Sequence, residues 1–292
     1  MAWTVSVVVS GLRRMRVRTA RLTGTFGPSA MSCCVSGPWG RGPRGEGVPK
    51  MDLVDYLIAL DGDNHAAPDK LVLPEQFVAE LGKLYTASER KGREHGCPLI
   101  CDRASRTFGY GEIAEGQPTS MNIPVSTHAN NFGNVHAHPS ASIGHAGGHS
   151  AHSMQDLAKF ADTRAKPYFF QFVVSGPQIY AMVQVNGVSV WDDTVRGFLG
   201  GRQGDEEGQM FDAVVNYVGG EKKWLELTAK AGGDTDPDAR TKLYEEYKPK
   251  AKIGPLMQNL SVKHCAEFAR RYNFFFYTGQ DGTLTRMLSL PV

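Results

Sequence analysis

The sequence predicts an α+β fold, with a mixed or mainly antiparallel sheet flanked by helices, and three observations predict it. Short runs dense in aromatic and β-branched residues recur along the chain, bounded by Gly, Pro, Asn and Ser. Amphipathic helical stretches lie between some of these runs but do not alternate with them in the strict rhythm of a parallel α/β protein. A charged segment with helical pattern and repeated glycine pairs, residues 192–256, reads as a helical insertion.

Each element has its own signal. Residues 51–72 form a lead-in of mixed character. Pro74 can open a helix, because its missing N–H is not needed in the first turn. Phe77, Val78, Leu81, Leu84 and Tyr85 then share one helical face, and the pattern ends near Arg90. Pro98–Cys101 and Thr107–Ile113 read as strands, and Glu115–Asn131 as a polar loop. Gly133–His138 reads as a strand stopped by Pro139. A Gly-, Ser- and His-rich loop runs from Ser140 to His152. Ser153 opens a helix that places Met154, Leu157, Phe160 and Ala161 on one side and ends before Pro167. Tyr168–Val174 and Gln178–Val185 flank the turn Ser175-Gly176-Pro177, which predicts a hairpin. Within 192–256, Gly200-Gly201, Gly219-Gly220 and Gly232-Gly233 are expected to break the helices. A further helix over 257–272 carries Cys265, Phe268, Ala269 and Tyr272 on one face. Asn273–Thr278 and Thr283–Leu288 then read as a strand pair joined through Gly279–Gly282.

Composition narrows the class. The 292 residues suffice for a sizeable core, and 41% hydrophobic with 21% charged residues is ordinary for a globular protein. Residues 1–50 hold eight Lys/Arg and one acid, whereas the rest of the chain holds 24 basic and 29 acidic groups. The body is therefore mildly acidic, with no basic stripe suited to nucleic acid. The first 50 residues read as a disordered or non-native extension, with Met51 as a candidate start; an organelle transit peptide is the other reading. There is no run of 18 apolar residues, so no membrane span is expected. The five cysteines form no CxxC pair, which suggests a reducing, cytoplasmic compartment without a disulfide framework.

The chemistry is concentrated in Asn134-Val135-His136-Ala137-His138-Pro139 and Ser153-Met154-Gln155-Asp156-Leu157. Alternate residues of a strand share a face, so His136 and His138 would point the same way. Asp156 would lie in the first turn of the next helix, where the helix dipole favours a carboxylate. Two imidazoles and a carboxylate leave a tetrahedral zinc ion one free position, the arrangement of a catalytic site.

This pattern, His-x-His-Pro with a downstream Ser-x-x-Asp and an upstream Glu, resembles the JAMM motif of the JAB/MPN metallopeptidase superfamily. The likeness covers roughly residues 75–190. It implies the JAB/MPN-like (cytidine deaminase-like) fold, with zinc (Zn2+) held by His136, His138 and Asp156. It also implies that Glu94 acts as general base and Ser153 as hydrogen-bond donor to an oxyanion. The implied activity is that of a zinc-dependent peptidase or isopeptidase, with a polypeptide or isopeptide substrate and ubiquitin-like proteins among the candidates. One departure stands out: Pro139 to His152 is about twice the family's usual spacer, and it holds His145, His149 and His152. Surface loops tolerate lengthening, at about 0.6 kcal/mol per doubling.

Plainer readings stand beside these. Ser153-x-x-Asp156 is also a helix-capping pattern. Glu112 competes with Glu94 as the base. His65 and His128 read as surface residues, His264 as structural, and Cys97 and Cys101 as buried core thiols. Competing functions are a catalytically inactive MPN-like scaffold, a His-rich metal-binding protein and an amidohydrolase. The last would need a (β/α)₈ barrel and further ligands that the sequence does not supply.

Overall fold

The computed structural model describes residues 50–62, 66–124, 126–140, 150–163, 168–185, 189–232, 238–251 and 253–288. The basic extension before Lys50 lies outside the described residues, as do His65, His145 and His149. In chain order the elements are β1 (Met51–Asp52), α1 (Leu53–Asp61), β2 (Lys70–Val72), α2 (Glu75–Lys91), β3 (His95–Asp102) and β4 (Thr107–Tyr110). They continue with β5 (Ala114–Glu115), β6 (Asn131–Ala137), α3 (Met154–Asp162), β7 (Phe169–Ser175), β8 (Gln178–Gln184), α4 (Asp193–Tyr217), α5 (Glu221–Lys230) and α6 (Ala239–Tyr247). The last three are α7 (Gly254–Tyr272), β9 (Phe275–Gln280) and β10 (Thr283–Arg286).

The strands form one mixed sheet in the order β1-β2-β10-β9-β8-β7-β6-β3-β4, with β5 also on β3. Most pairs are antiparallel. The β6–β7 pair is parallel, so α3 is its crossover, as is the short β1–β2 pair, which α1 connects. The α+β class with a mixed sheet flanked by helices therefore stands.

Side-chain alternation divides the core into two layers. On one face, Cys97, Leu99, Val135, Phe170, Phe172 and Val174 pack with Phe77, Leu81 and Leu84 of α2 and with α1. On the other, Val173, Tyr180, Met182 and Phe276 pack with Leu157 and Phe160 of α3, Phe198 of α4 and Phe268 of α7. Phe77 sits at the centre of the first layer, with its ring 4.9 Å from Phe108 and 5.4 Å from Phe172. A register shift lies opposite the Leu99/Ile100 step, where Leu99 pairs Gly133 but Ile100 pairs Asn131. The unpaired residue, Phe132, bulges so that it and Val135 both enter the first layer.

Several expectations need correction. The lead-in 51–72 is structured: it holds β1, α1 and β2. Helix α1 buries Leu53, Tyr56, Leu57 and Leu60 at offsets 0, 3, 4 and 7, with Val54 beside them, and leaves Asp55, Ile58 and Asp61 exposed, so a one-face stripe was present in the sequence and was passed over. The strand expected over Thr107–Ile113 ends at Tyr110, and β5 begins at Ala114. Gly200-Gly201 does not break a helix but lies inside α4, whose apolar anchors Val195, Phe198, Leu199 and Val214 sit toward its two ends. Gly219 and Gly220 do end it, with φ of +105° and +96°. The helix expected from residue 257 starts at Gly254, with Pro255 in its first turn.

Candidate metal centre

The site lies on the α3 side of the sheet. His136 and His138 alternate with Val135 and Ala137, which enter the opposite core layer, so both imidazoles emerge on one face. His138 follows the end of β6 but stays in the ladder, its N–H donating to Val174 O at 2.9 Å. The two Nε2 atoms lie 3.0 Å apart. Asp156 reaches both, with Oδ1 3.3 Å from His136 Nε2 and Oδ2 3.4 Å from His138 Nε2.

Glu94 arrives from the neighbouring strand. It immediately precedes β3, whose Gly96 pairs with His136 and whose His95 pairs with Ala137. The register therefore carries Glu94 alongside His138. Glu94 is 5% exposed, and one carboxylate oxygen lies within 4.8 Å of ligand nitrogens of both histidines. Glu94, His136 and His138 thus form a buried group able to bind a metal ion. Its rival Glu112 is exposed and does not belong to this group.

Donor types and spacing suit a tetrahedral metal ion. Tetrahedral bonds of about 2.0–2.1 Å put ligand atoms about 3.3–3.4 Å apart. The nitrogen–oxygen separations match this, and the nitrogen–nitrogen separation falls slightly short of it. Among the described residues no hydrogen bond occupies the buried Nδ1 of His136. Nδ1 of His138 lies 3.1 Å from Ser150 Oγ, the kind of outer contact that fixes a ligand ring. Ser150 is itself tied to Ser175 Oγ through its N–H at 3.2 Å.

The capping reading of Ser153 is the one the geometry displays. Ser153 caps α3, with Oγ accepting from the Asp156 N–H at 3.1 Å and donating to Asp156 Oδ2 at 2.7 Å. The Ser153 N–H donates to the same Oδ2 at 2.8 Å. This complete capping box turns the Asp156 carboxylate so that Oδ1 faces His136. The cap positions the candidate ligand, and Ser153 itself stays exposed beside the site.

Burial would raise Asp156, but the His136 and His138 imidazoles beside it hold its carboxyl well below the usual range. Burial works against a charged His138 ring, yet Asp156 and Glu94 outweigh it and raise the ring above its ordinary value. Burial raises the Glu94 carboxyl, against the pull of His138 and His136.

The remaining candidates fall elsewhere. His152 is fully buried but is not in the ligand group; its Nε2–H donates to Gln171 O at 3.0 Å, which leaves Nδ1 bare. Burial pushes this ring down to about 3. His128 is exposed. His264 is buried against Glu206, with Nδ1 and Oε1 2.8 Å apart, in keeping with a structural role. Cys97 and Cys101 are buried free thiols, as expected, and burial pushes Cys97 up to about 11.

Sequence reasoning missed Ser150 and the groove beside the site. A cavity of about 600 Å³ runs past His136 and Asp156 over Asn134 and Gln171, with Met121 and Lys159 in its walls. Asn134 and Gln171 are register partners on β6 and β7, and their alternation with core residues was the available signal. Lys159 Nζ donates to Met121 O and ties α3 to the far wall. Among the described residues no helix is long and apolar enough to cross a membrane. Comparison with known families, curated proteins and solved structures gives no match to this chain.

Proposed function

We propose that this chain is a zinc-dependent amide hydrolase, a peptidase or isopeptidase of the kind its JAB/MPN resemblance implies. One observation carries the reading: Glu94, His136, His138 and Asp156, from three separate segments of the chain, converge in one buried cluster beside an open groove. His136, His138 and Asp156 would hold the ion. Zinc bound there supplies a Lewis acid that lowers the pKa of water to about 7 and polarises a carbonyl.

The chain's own residues supply the rest. Glu94 takes a proton from the attacking water and returns it to the leaving amine. Its burial raises its proton affinity toward that task. Ser153, exposed at the α3 N-terminus, is the candidate donor to the oxyanion that develops on the scissile carbonyl, a role that requires its hydroxyl to turn from Asp156 Oδ2 to the substrate. The groove is within the usual size of a ligand site, about 300–1,000 Å³, and would take the polypeptide or isopeptide segment flanking the bond. Ubiquitin-like proteins are candidate sources of that segment.

The test is metal content beside hydrolysis. The purified chain should carry about one zinc, and His138→Ala and Asp156→Ala should each lose it. Glu94→Gln should keep zinc yet lose about 10²–10⁴-fold in kcat on a peptide or isopeptide panel. A zinc-loaded parent with no turnover on that panel, or hydrolysis that survives removal of zinc, overturns the reading.

A further inference from the structure

Glu94 lies outside regular structure, as His138 does, and sits between the end of α2 and the start of β3. The preceding turn needs a left-handed residue, and Gly92 supplies it at φ +60°. A carboxylate on such a junction would swing unless the chain on both sides were fixed. Every backbone polar group from the Arg93 N–H to the His95 N–H has a partner. The Arg93 N–H donates to Ser88 O at 3.2 Å, the Glu94 N–H to Gln117 O at 3.1 Å, and Glu94 O accepts from the Gly116 N–H at 2.8 Å. The two remaining bonds are made by side chains. The His95 N–H donates to Ser88 Oγ at 3.1 Å, and His95 Nδ1 lies 3.1 Å from Arg93 O.

A carbonyl accepts only, so the bond to Arg93 O puts the proton of His95 on Nδ1. Ser88 Oγ lies 3.2 Å from the same nitrogen, so both side chains close on one point. Ser88 and His95 are buried, and His95 faces away from the metal centre, with Nε2 3.6 Å from Glu115 Oε2. Glu115 is in turn paired with Lys91 at 2.5 Å. Neither Ser88 nor His95 can touch a substrate in the groove. Together they grip the peptide units on either side of Glu94 from behind the sheet.

We infer that Ser88 and His95 are positioning residues that aim Glu94 at the His136–His138 pair through the backbone. This rests on reading Glu94 as the base, and misplacement of a reacting group by about 1 Å costs roughly 10²-fold. The two amide replacements of His95 separate this role from mere packing. An Asn amide nitrogen lies as many bonds from Cα as Nδ1 does and can still donate to Arg93 O. A Gln amide reaches the Nε2 position and leaves Arg93 O without its donor.

The experiment has two arms on the full chain. In metal-free protein, hydrogen exchange at the Glu94 and His95 amides should quicken at least about tenfold in His95→Gln and Ser88→Ala. It should stay near the parent rate in His95→Asn, and β6 and β7 should keep their protection in all three. In zinc-loaded protein, His95→Gln should lower kcat about 10–10²-fold at unchanged KM and zinc content, and His95→Asn should restore it. Equal behaviour of His95→Gln and His95→Asn in the exchange arm, or exchange that rises evenly over the whole sheet, overturns the inference. If the zinc-loaded parent has no turnover, the hydrolase reading falls on that result, and the exchange arm alone decides whether Ser88 and His95 hold Glu94.

Discussion

Helix α2 has 17 residues and buries Phe77, Leu81, Leu84 and Ser88; α4 has 25 and buries the same number, Val195, Phe198, Leu199 and Val214. The two are stabilised differently. Helix α2 has an acid, Glu75, in its first turn, Arg90 and Lys91 in its last, and a left-handed Gly92 cap. Helix α4 carries Gly197, Gly200, Gly201, Gly204 and Gly208, and a Cβ at any of them would meet nothing within 4 Å. Each costs about 1 kcal/mol of helix propensity relative to Ala. Between Leu199 and Val214 its ties to α7 are polar, Arg202 to Glu267 at 2.5 Å and Glu206 to His264 at 2.8 Å. The capped, well-buried helix lies beside Glu94 and the histidines, and α4 is anchored mainly at its ends.

That contrast is open to attack in order of effect. Gly133→Ala strikes the site side hardest, because the new Cβ would fall 2.0 Å from Phe170 O on the paired strand. It should cost more than the roughly 1–3 kcal/mol of ordinary overpacking and abolish metal binding, read by urea unfolding and zinc content. Phe172→Ala should cost about 3–5 kcal/mol in the same assay, since Phe172 is fully buried against Phe77 and Phe170. Truncating an exposed residue of α5 such as Leu225 should barely register beside it.

A pH series sharpens the comparison further. Burial pushes the His152 ring down to about 3, below the ordinary 6.5, so the unfolded chain takes up the proton first. Its share of stability is whole above pH 6.5 and lost as pH falls toward 3, at up to about 1.4 kcal/mol per pH unit. His152→Gln should flatten that limb of the urea midpoint against pH. The smallest effect runs the other way. Gly204→Ala in α4 should stabilise the chain by up to about 1 kcal/mol and slow amide exchange around it, because the space is open and the φ is helical. Loss of stability there would mean that the face is packed after all.

The legible parts of the sequence were those with a periodic signal or a chemical constraint. Helix α2 was readable from Phe77, Leu81 and Leu84, the β7–β8 hairpin from its turn, and the histidine pair from the strand period. Glu94 was readable only by likeness, since nothing local marks a carboxylate at a helix–strand junction as buried; the β3–β6 register is what turns it inward. Helix α1 was legible from Leu53, Tyr56, Leu57 and Leu60, which share one face, but at nine residues its pattern is short and was passed over. Helix α4 was misdivided because tertiary anchors override local propensity. Ser150 and Ser88 carried no signal, for serines in loops and helices are common and only the fold brings them to a histidine.

The bulge at Phe132 has a consequence for how this protein can change over generations. Pairing of β3 with β6 is set in two independent frames, one on each side of the Leu99/Ile100 step. A one-residue slip in a continuous ladder would invert every side chain beyond it. Here a residue gained or lost on the β4 side can be absorbed at the bulge, and the frame that holds Gly96 opposite His136 is left intact. Insertions at that edge should therefore be inherited without cost to the metal centre, while the same insertion between Gly133 and His138 would be lethal to it.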